Sequence, residues 1–242
     1  MIGLVVVSHS RALAEAAVEL ALQMGGDHPP VIRVAAGGPD GDLGTDATAI
    51  ATAIDEADTG EGVLVLMDLG SALLSAEMAR EFVAVPERVR LSAAPFVEGL
   101  VSAVVTAAGG ADLDAVATEA ETAGEAKQRQ LGADAPSSGR EPAASAPPVE
   151  DALSFEATVV NPSGLHARPA ATFVKTASRY DADVRIADLD AGGEEVSARS
   201  LLALMSLGVH RGARVRVRAT GPQARAALDD LRGLIEDGFG ER

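Results

Sequence analysis

Short apolar runs alternate with segments of helical periodicity over residues 1–123, and this alternation constrains the fold more than any other feature of the chain. The apolar runs predict strands over 2–7, 31–35, 62–67 and 88–92, and the helical spacing predicts helices over 11–24, 46–55, 71–83, 96–108 and 113–124. Strands that are apolar throughout are typical of a parallel sheet covered by helices on both faces. We therefore predict a doubly wound α/β domain over residues 1–124.

The composition changes after this domain. Residues 125–151 are rich in Ala, Pro, Ser and Glu and lack apolar periodicity, which predicts a flexible linker. Residues 152–242 form a second domain with strands over 155–160, 183–187, 194–197 and 213–219, and with helices that begin at His166 or cover 201–207 and 222–236. This βαββαβα order predicts an α+β open-faced sandwich, in which an antiparallel sheet carries its helices on one face.

The charge of the chain is concentrated in its first part. Residues 1–151 hold 8 of the 20 Lys and Arg and 24 of the 36 Asp and Glu, whereas residues 152–242 hold 12 of each kind. The net charge of −16 argues against a nucleic-acid partner. The chain has no cysteine, which excludes disulfides and thiolate metal sites.

The apolar run at the N-terminus is not typical of a targeting segment. It lacks a basic start and is too short for a signal peptide. No stretch of the sequence reaches the ~18 apolar residues of a membrane span. We interpret this run as a buried first strand, and we expect a cytoplasmic protein without membrane insertion.

A histidine at the start of a predicted helix is the first candidate for chemistry. His166 ends the predicted loop after strand 155–160, Ala167 follows it, and Pro169 lies in the first helical turn, where a missing N–H costs nothing. The N–H groups of a helix N-terminus bind phosphate, and the guanidinium of Arg168 adds a second donor. An imidazole that titrates near neutrality is both a nucleophile and a leaving group. The segment therefore predicts a phosphoryl carrier.

Residues 153–240 resemble HPr, the histidine-containing phosphocarrier of the bacterial phosphoenolpyruvate-dependent phosphotransferase system. The resemblance rests on residues 161–171 and on residues 198–208, which are similar to the second signature of that family. It implies that His166 is phosphorylated and that Arg168 assists. It also implies that Ser200 is the serine that a regulatory kinase phosphorylates in some bacteria.

A second histidine, His9, follows the first predicted strand. In the common doubly wound order strands one and three are neighbours, so His9 and Asp68 are expected side by side at the carboxyl ends of these strands. A carboxylate that accepts one ring N–H fixes the tautomer and leaves the other nitrogen free. Thr45, Gly70 and Ser71 offer N–H and hydroxyl donors to a phosphoryl group on that nitrogen.

Residues 1–120 resemble the mannose-type enzyme IIA domain, and most closely the phosphotransfer subunit of the phosphoenolpyruvate-dependent dihydroxyacetone kinase. The matching segments are 3–10, 44–47, 65–77 and 94–99. The resemblance implies that His9 accepts phosphate and that Asp68 orients it. Sugar-specific relatives have Gly after this histidine, whereas the present chain has Ser10, as in the dihydroxyacetone branch.

The two resemblances together imply a phosphoryl relay. A separate enzyme I, charged by phosphoenolpyruvate, passes phosphate to His166, which passes it to His9. His9 then rephosphorylates ADP on the nucleotide-binding subunit of the kinase, and the ATP phosphorylates dihydroxyacetone (glycerone) on a further subunit. The resemblance also implies a homodimer through the N-terminal domain, and it calls for no metal or organic cofactor on this chain.

Two other functions remain open from the sequence. One is a sugar-specific carrier that hands phosphate to a membrane permease through an enzyme IIB; Ser10 and the match over residues 67–76 argue against it. The other is a non-catalytic regulator that binds a transcription factor or kinase according to its phosphorylation state.

Overall fold

The computed structural model of the protein describes residues 1–39, 41–130 and 152–241. The chain divides into two compact units, with the boundary in the sequence between residues 124 and 125. The predicted linker over 125–151 begins instead with a helix, Glu125–Gln130. The rest of that linker lies outside the described residues.

The first unit is built on a four-stranded parallel sheet. Its strands are β1 (Gly3–Ser8), β2 (Ile32–Ala36), β3 (Val63–Met67) and β4 (Val89–Leu91), in the order β2-β1-β3-β4. Its helices are α1 (Arg11–Gly25), α2 (Ala47–Ala57), α3 (Gly70–Ala79), α4 (Phe96–Ala108) and α5 (Leu113–Glu121), and a 3-10 turn at Pro86–Arg88 precedes β4. Strand order and direction are those of a doubly wound fold.

Both faces of this sheet are buried. Alternate residues of β1 separate into two cores: Leu4 and Val6 pack with α1, α4 and α5, whereas Val5 and Val7 pack with α2 and α3. All six residues of β1 are buried, which explains why the strand is a continuous apolar run. The prediction of a doubly wound α/β domain is confirmed.

The prediction of the third helix as 71–83 was too long at its C-terminal end. Helix α3 ends at Ala79, and the N–H groups of Glu81 and Phe82 bond to the carbonyls of Met78 and Ala79. Such i→i+3 bonds tighten and close the last turn of a helix. Leu74, Met78 and Phe82 are left exposed.

The second unit is a four-stranded antiparallel sheet with helices on one face. Its elements are the helix of residues 125–130, numbered α6, followed by β5 (Leu153–Thr158), α7 (Ala167–Ser178), β6 (Asp183–Asp188), β7 (Glu195–Ser197), α8 (Leu201–Ser206), β8 (Arg214–Thr220) and α9 (Ala224–Glu236), with a 3-10 turn at Gly238–Gly240. The strand order is β5-β8-β6-β7. From β5 onward the order is βαββαβα, which confirms the predicted open-faced sandwich.

The outer face of the second sheet carries paired charges. In β8 buried residues alternate with Arg214, Arg216 and Arg218. These arginines form ion pairs with Asp190 at 2.9 Å, Glu156 at 3.0 Å and Glu195 at 2.9 Å, respectively. The positive charges of these three arginines on the outer face of the sheet are therefore neutralised.

No helix among the described residues is long and apolar enough to cross a membrane.

Candidate functional site

The parallel pairing of β1 with β3 brings two side chains from distant parts of the sequence together. Val7 lies opposite Met67 in this register, so His9 and Asp68 leave the sheet at the same edge, as predicted. The N–H of Asp68 bonds to the carbonyl of Val7 at 3.2 Å, and the N–H of Gly44 bonds to the carbonyl of His9 at 3.1 Å. The backbone around both residues is therefore fixed by the sheet and its loops.

Asp68 contacts His9 through both carboxylate oxygens. Oδ1 lies 2.9 Å from Nδ1 of the ring, and Oδ2 accepts the backbone N–H of His9 at 2.8 Å. The carboxylate is nearly buried, with 7% of its side chain exposed, whereas 24% of the imidazole is exposed. Donation from Nδ1–H to the carboxylate fixes one tautomer and leaves Nε2 as the acceptor nitrogen.

The environment keeps Asp68 ionised. Burial by itself raises the pKa of this carboxyl. Hydrogen bonds from the His9 N–H, the His9 ring and the Ser8 hydroxyl together lower the pKa by more than burial raises it, so the pKa lies below its ordinary value. A carboxylate that accepts several hydrogen bonds is stabilised in its charged form. The Asp68 carboxylate therefore places a fixed negative charge next to Nδ1 of His9.

The free nitrogen of His9 faces the start of α3. Nε2 lies 2.9 Å from Oγ of Ser71, which donates its hydroxyl proton when Nδ1 carries the ring proton. Ser71 and Gly70 are the first residues of this ten-residue helix and are exposed. The first N–H groups of a helix have no partner within it and favour an anion. A phosphoryl group on Nε2 would meet these donors.

Thr45, the remaining candidate for phosphate support, is bonded elsewhere. Its hydroxyl lies 2.8 Å from that of Ser75, one turn further along α3. The structure thus ties the loop after β2 to α3. It does not place the Thr45 hydroxyl on the imidazole of His9.

Sequence reasoning missed Ser8, which completes this site. Its side chain is buried, and its hydroxyl lies 2.9 Å from Oδ2 of Asp68 and 3.0 Å from the carbonyl of Ser10. The hydroxyl also accepts the N–H of Ser10 at 3.1 Å. A polar residue at the buried end of an apolar strand is the signal that points to this role, because buried hydroxyls need partners.

His166, in the second unit, stands at a helix start, as predicted. His166 is the residue before α7, its ring makes no capping hydrogen bond, and its carbonyl accepts the N–H of Ala170 at 2.9 Å. His166 and Arg168 are both exposed, Ala167 is partly exposed and Pro169 is buried. The structure therefore presents the imidazole, the guanidinium and the helix N-terminus on one turn.

A close backbone contact holds the turn in front of His166. Gly164 has a φ of +63°, and a Cβ at this position would overlap the carbonyl oxygen of Val209. The N–H of Leu165 bonds to that same carbonyl at 2.9 Å. Only glycine accommodates both the left-handed conformation and the close approach.

A network that the sequence did not indicate lies beneath this turn. The side-chain amide of Asn161 donates to the carbonyl of Gly164 at 2.8 Å and to Oε2 of Glu241 at 3.1 Å. The hydroxyl of Ser163 donates to the same Oε2. Hydrogen bonds from Ser163 and Asn161 hold the pKa of the Glu241 carboxyl below its ordinary value, and the positive charges of Arg168 and His166 act in the same direction.

Ser200 has a structural role in the described fold. It is the N-cap of α8, and its hydroxyl accepts the N–H of Ala203 at 3.1 Å. Serine is a strongly preferred residue at this position. The side chain is partly exposed.

Comparison with known proteins assigns both parts of the chain. The family model described as "PTS system fructose IIA component" matches residues 3–117, and the one described as "PTS HPr component phosphorylation site" matches residues 153–237. The chain is 44% identical over 246 residues to the phosphoryl donor subunit DhaM of the PEP-dependent dihydroxyacetone kinase of Escherichia coli strain K12. Over its whole length the chain is therefore similar to a DhaM subunit. That alignment covers 100% of this chain and 51% of the E. coli protein, so the chain spans about half the length of this relative.

The HPr-like part is also similar to proteins other than DhaM. It is 43% identical over 83 residues to the multiphosphoryl transfer protein of Haemophilus influenzae, which is 34% of this chain and 17% of that protein. The crystal structure of HPr-C-His from Thermoanaerobacter tengcongensis is 38% identical, with a TM-score of 0.35, and the match covers 37% of this chain and 98% of that one.

Proposed function

We propose that this chain is a phosphoryl relay that carries phosphate first on His166 and then on His9. The observation that supports this most directly is the arrangement at His9, where a carboxylate occupies Nδ1 and hydroxyl and helix N–H donors face Nε2. Nε2 of the imidazole is therefore oriented to attack a phosphoryl group, and the donors that face Nε2 would bind that group after its transfer.

At His9 the reaction is an in-line phosphoryl transfer between two histidines. The P–N bond to the donor histidine breaks as a P–N bond to Nε2 of His9 forms, and the donor nitrogen keeps the electron pair. Asp68 stabilises the positive charge that grows on the ring. Ser71 must turn its hydroxyl proton from Nε2 to a phosphoryl oxygen. Such transfers need positioning and charge stabilisation rather than covalent chemistry from other residues.

At His166 the site has a different character. The ring is exposed and makes no capping hydrogen bond, and Arg168, two residues further along the chain, supplies a positive charge. An exposed imidazole suits a carrier that must meet both a donor and an acceptor. We assign the assisting role to Arg168, the N–H donor to Ala167 and a regulatory modification site to Ser200.

The proposed partners follow from the similarity to DhaM. We propose that a cytoplasmic enzyme I, charged by phosphoenolpyruvate, supplies His166, and that His9 delivers to ADP on the nucleotide-binding subunit of a dihydroxyacetone kinase. The chain would thus serve as a phosphoenolpyruvate–glycerone phosphotransferase component. The E. coli relative is a subunit of a dihydroxyacetone kinase, which favours this acceptor over a sugar permease.

We propose a homodimer through the first unit, supported by α3 and the turn that follows it. Leu74, Met78 and Phe82, spaced four residues apart, are 67%, 56% and 65% exposed. A run of large exposed apolar side chains marks an interaction surface, and one helix meets itself across a twofold axis. Sedimentation velocity should show a dimer that Met78→Glu dissociates and that Glu77→Gln leaves intact; a monomeric wild type would contradict this assignment.

The relay is tested with labelled phosphoenolpyruvate and enzyme I. The full chain should take acid-labile phosphate on both histidines. His166→Ala should take none unless free HPr is added, and His9→Ala should keep label on His166 without passing it on. Label that persists in the double variant would contradict the proposal.

A further inference from the structure

The segment after α9 folds back onto the His166 turn. Gly238 and Phe239 have φ values of +68° and +57°, and the position of a Cβ on Gly238 lies 3.4 Å from Val160 and 3.5 Å from Asn161. The ring of Phe239 lies 6.5 Å from that of Phe173 in α7. A large residue with positive φ is strained, and such strain persists only where the surroundings hold it. The packing therefore fixes the segment under the turn.

This segment delivers the Glu241 carboxylate to the turn from below. Oε2 accepts from the Asn161 side-chain amide at 3.1 Å and from the Ser163 hydroxyl. Asn161 is 1% exposed and uses its other amide proton on the carbonyl of Gly164. A chain of hydrogen bonds thus leads from Glu241 through Asn161 to a point two residues before His166.

Glu241 is also a negative charge close to the histidine, because its carboxylate accepts hydrogen bonds from Asn161 and Ser163, which lie five and three residues before His166. We propose that Glu241 is a positioning residue of the His166 site, which fastens the turn in front of the histidine and weakens the hold of that histidine on a phosphoryl group. This inference rests on the proposed phosphorylation of His166.

The physical argument concerns the charge that arrives with phosphate. When a phosphoryl group leaves a donor nitrogen and bonds to a nitrogen of His166, about two negative charges come to lie near Glu241. Repulsion then raises the free energy of the phosphorylated form, by an amount that shifts its equilibrium roughly three- to tenfold at low salt and less at high salt. A carrier that holds phosphate less tightly passes it on more readily.

The charge effect is measured on the full chain with His9→Ala, so that only His166 accepts phosphate. At a fixed ratio of phosphoenolpyruvate to pyruvate with enzyme I, Glu241→Gln should raise the ratio of phosphorylated to free chain roughly three- to tenfold, and added salt should reduce this gain. Glu236→Gln, which removes an exposed charge from α9 of the same unit, is the control and should change nothing. Equal ratios for the two variants would overturn the electrostatic role.

The effect of Glu241 on the stability of the turn before His166 is measured without phosphate, by amide hydrogen exchange. Glu241→Ala should speed exchange at Gly164 and Leu165 at least fivefold, whereas Glu241→Gln should stay close to wild type because its amide oxygen still accepts from Asn161 and Ser163. Unchanged exchange in Glu241→Ala would overturn the proposal that Glu241 holds this turn in place. Absence of phosphate on His166 in every variant would overturn the proposed relay and the electrostatic role. The exchange data would still show whether Glu241 holds the turn before His166 in place.

Discussion

Asp68 holds His9 by its ring and by its backbone at once, with Oδ1 2.9 Å from Nδ1 and Oδ2 2.8 Å from the backbone nitrogen. The two contacts use both oxygens of one carboxylate. Because Oδ2 is bonded to the backbone N–H, the carboxylate stays in place, and rotation of the ring would break the contact between Nδ1 and Oδ1. The contact spans 59 residues of sequence and depends on the pairing of β1 with β3. It leaves Nε2 as the nitrogen of His9 on which we propose phosphorylation.

Asp68→Asn should slow phosphorylation of His9 by at least a hundredfold while leaving the fold intact. An amide in this position holds the ring in the wrong tautomer when its NH₂ faces Nδ1, and the same change costs about four orders of magnitude in the Ser-His-Asp case. Single-turnover transfer from phosphorylated His166 measures the effect. Asp27→Asn, at an exposed loop position, is the control; a wild-type rate in folded Asp68→Asn would reduce Asp68 to a structural residue.

The same carboxylate should make stability depend on pH in the acid range. Because its pKa is lowered in the folded state, Asp68 stabilises the fold fully above the unfolded value of about 3.9, and this contribution is lost as the pH falls through the lower folded value. The difference in free energy of unfolding between wild type and Asp68→Asn should be constant above about pH 5 and shrink below pH 4. Urea unfolding at pH 3 to 7 measures it, and a difference independent of pH would contradict the assignment.

Ser71→Ala should slow transfer to His9 by about tenfold or more, because it removes a hydroxyl donor 2.9 Å from Nε2. The free energy of unfolding should change little, since Ser71 is exposed. Thr52→Ala, on the exposed surface of α2, provides a comparison in which a hydroxyl is removed far from the histidine. If both variants transfer at the wild-type rate, the Ser71 hydroxyl has no part in the reaction.

Gly164→Ala should lower the free energy of unfolding of the second unit by about 2 kcal/mol and impair phosphorylation of His166. Gly208→Ala is a matched control, because Gly208 has a φ of +64° against +63° for Gly164 but has no atom within 4 Å of its Cβ position. The two variants share the conformational strain, so their difference reports the clash with Val209. Equal losses in thermal and urea unfolding would show that this clash relaxes freely.

Separation of the two units should make the transfer from His166 to His9 depend on protein concentration. The sequence predicts a linker over 125–151, of which residues 131–151 lie outside the described part of the chain. A flexible coil over 131–151 would have a reach of roughly 25 Å and would give an effective concentration approaching millimolar. A protease site introduced into 131–151 tests this. Transfer between severed halves at low micromolar concentration should be much slower than in the intact chain; an equal rate would contradict tethering.

The sequence by itself predicted the order of strands and helices in both units, apart from helix α6, and the two histidine positions. Continuous apolar runs and helical spacing are local patterns, and they predicted a parallel sheet with buried strands and a βαββαβα unit. Because neighbouring parallel strands end at one edge, they also predicted that His9 meets Asp68. The position of His166 at a helix start followed from Pro169 and the apolar spacing after it.

Only the tertiary structure decided the contacts that complete each site. Ser8 turns its hydroxyl to Asp68, and Ser71 lies on Nε2, because of the register of β1 and β3 and the point where α3 begins. Glu241 reaches Asn161 across 80 residues of sequence, through a backbone reversal that its neighbours hold in place. Local periodicity encodes which face of an element is buried, but the direction of one polar side chain depends on how distant backbone segments close around it.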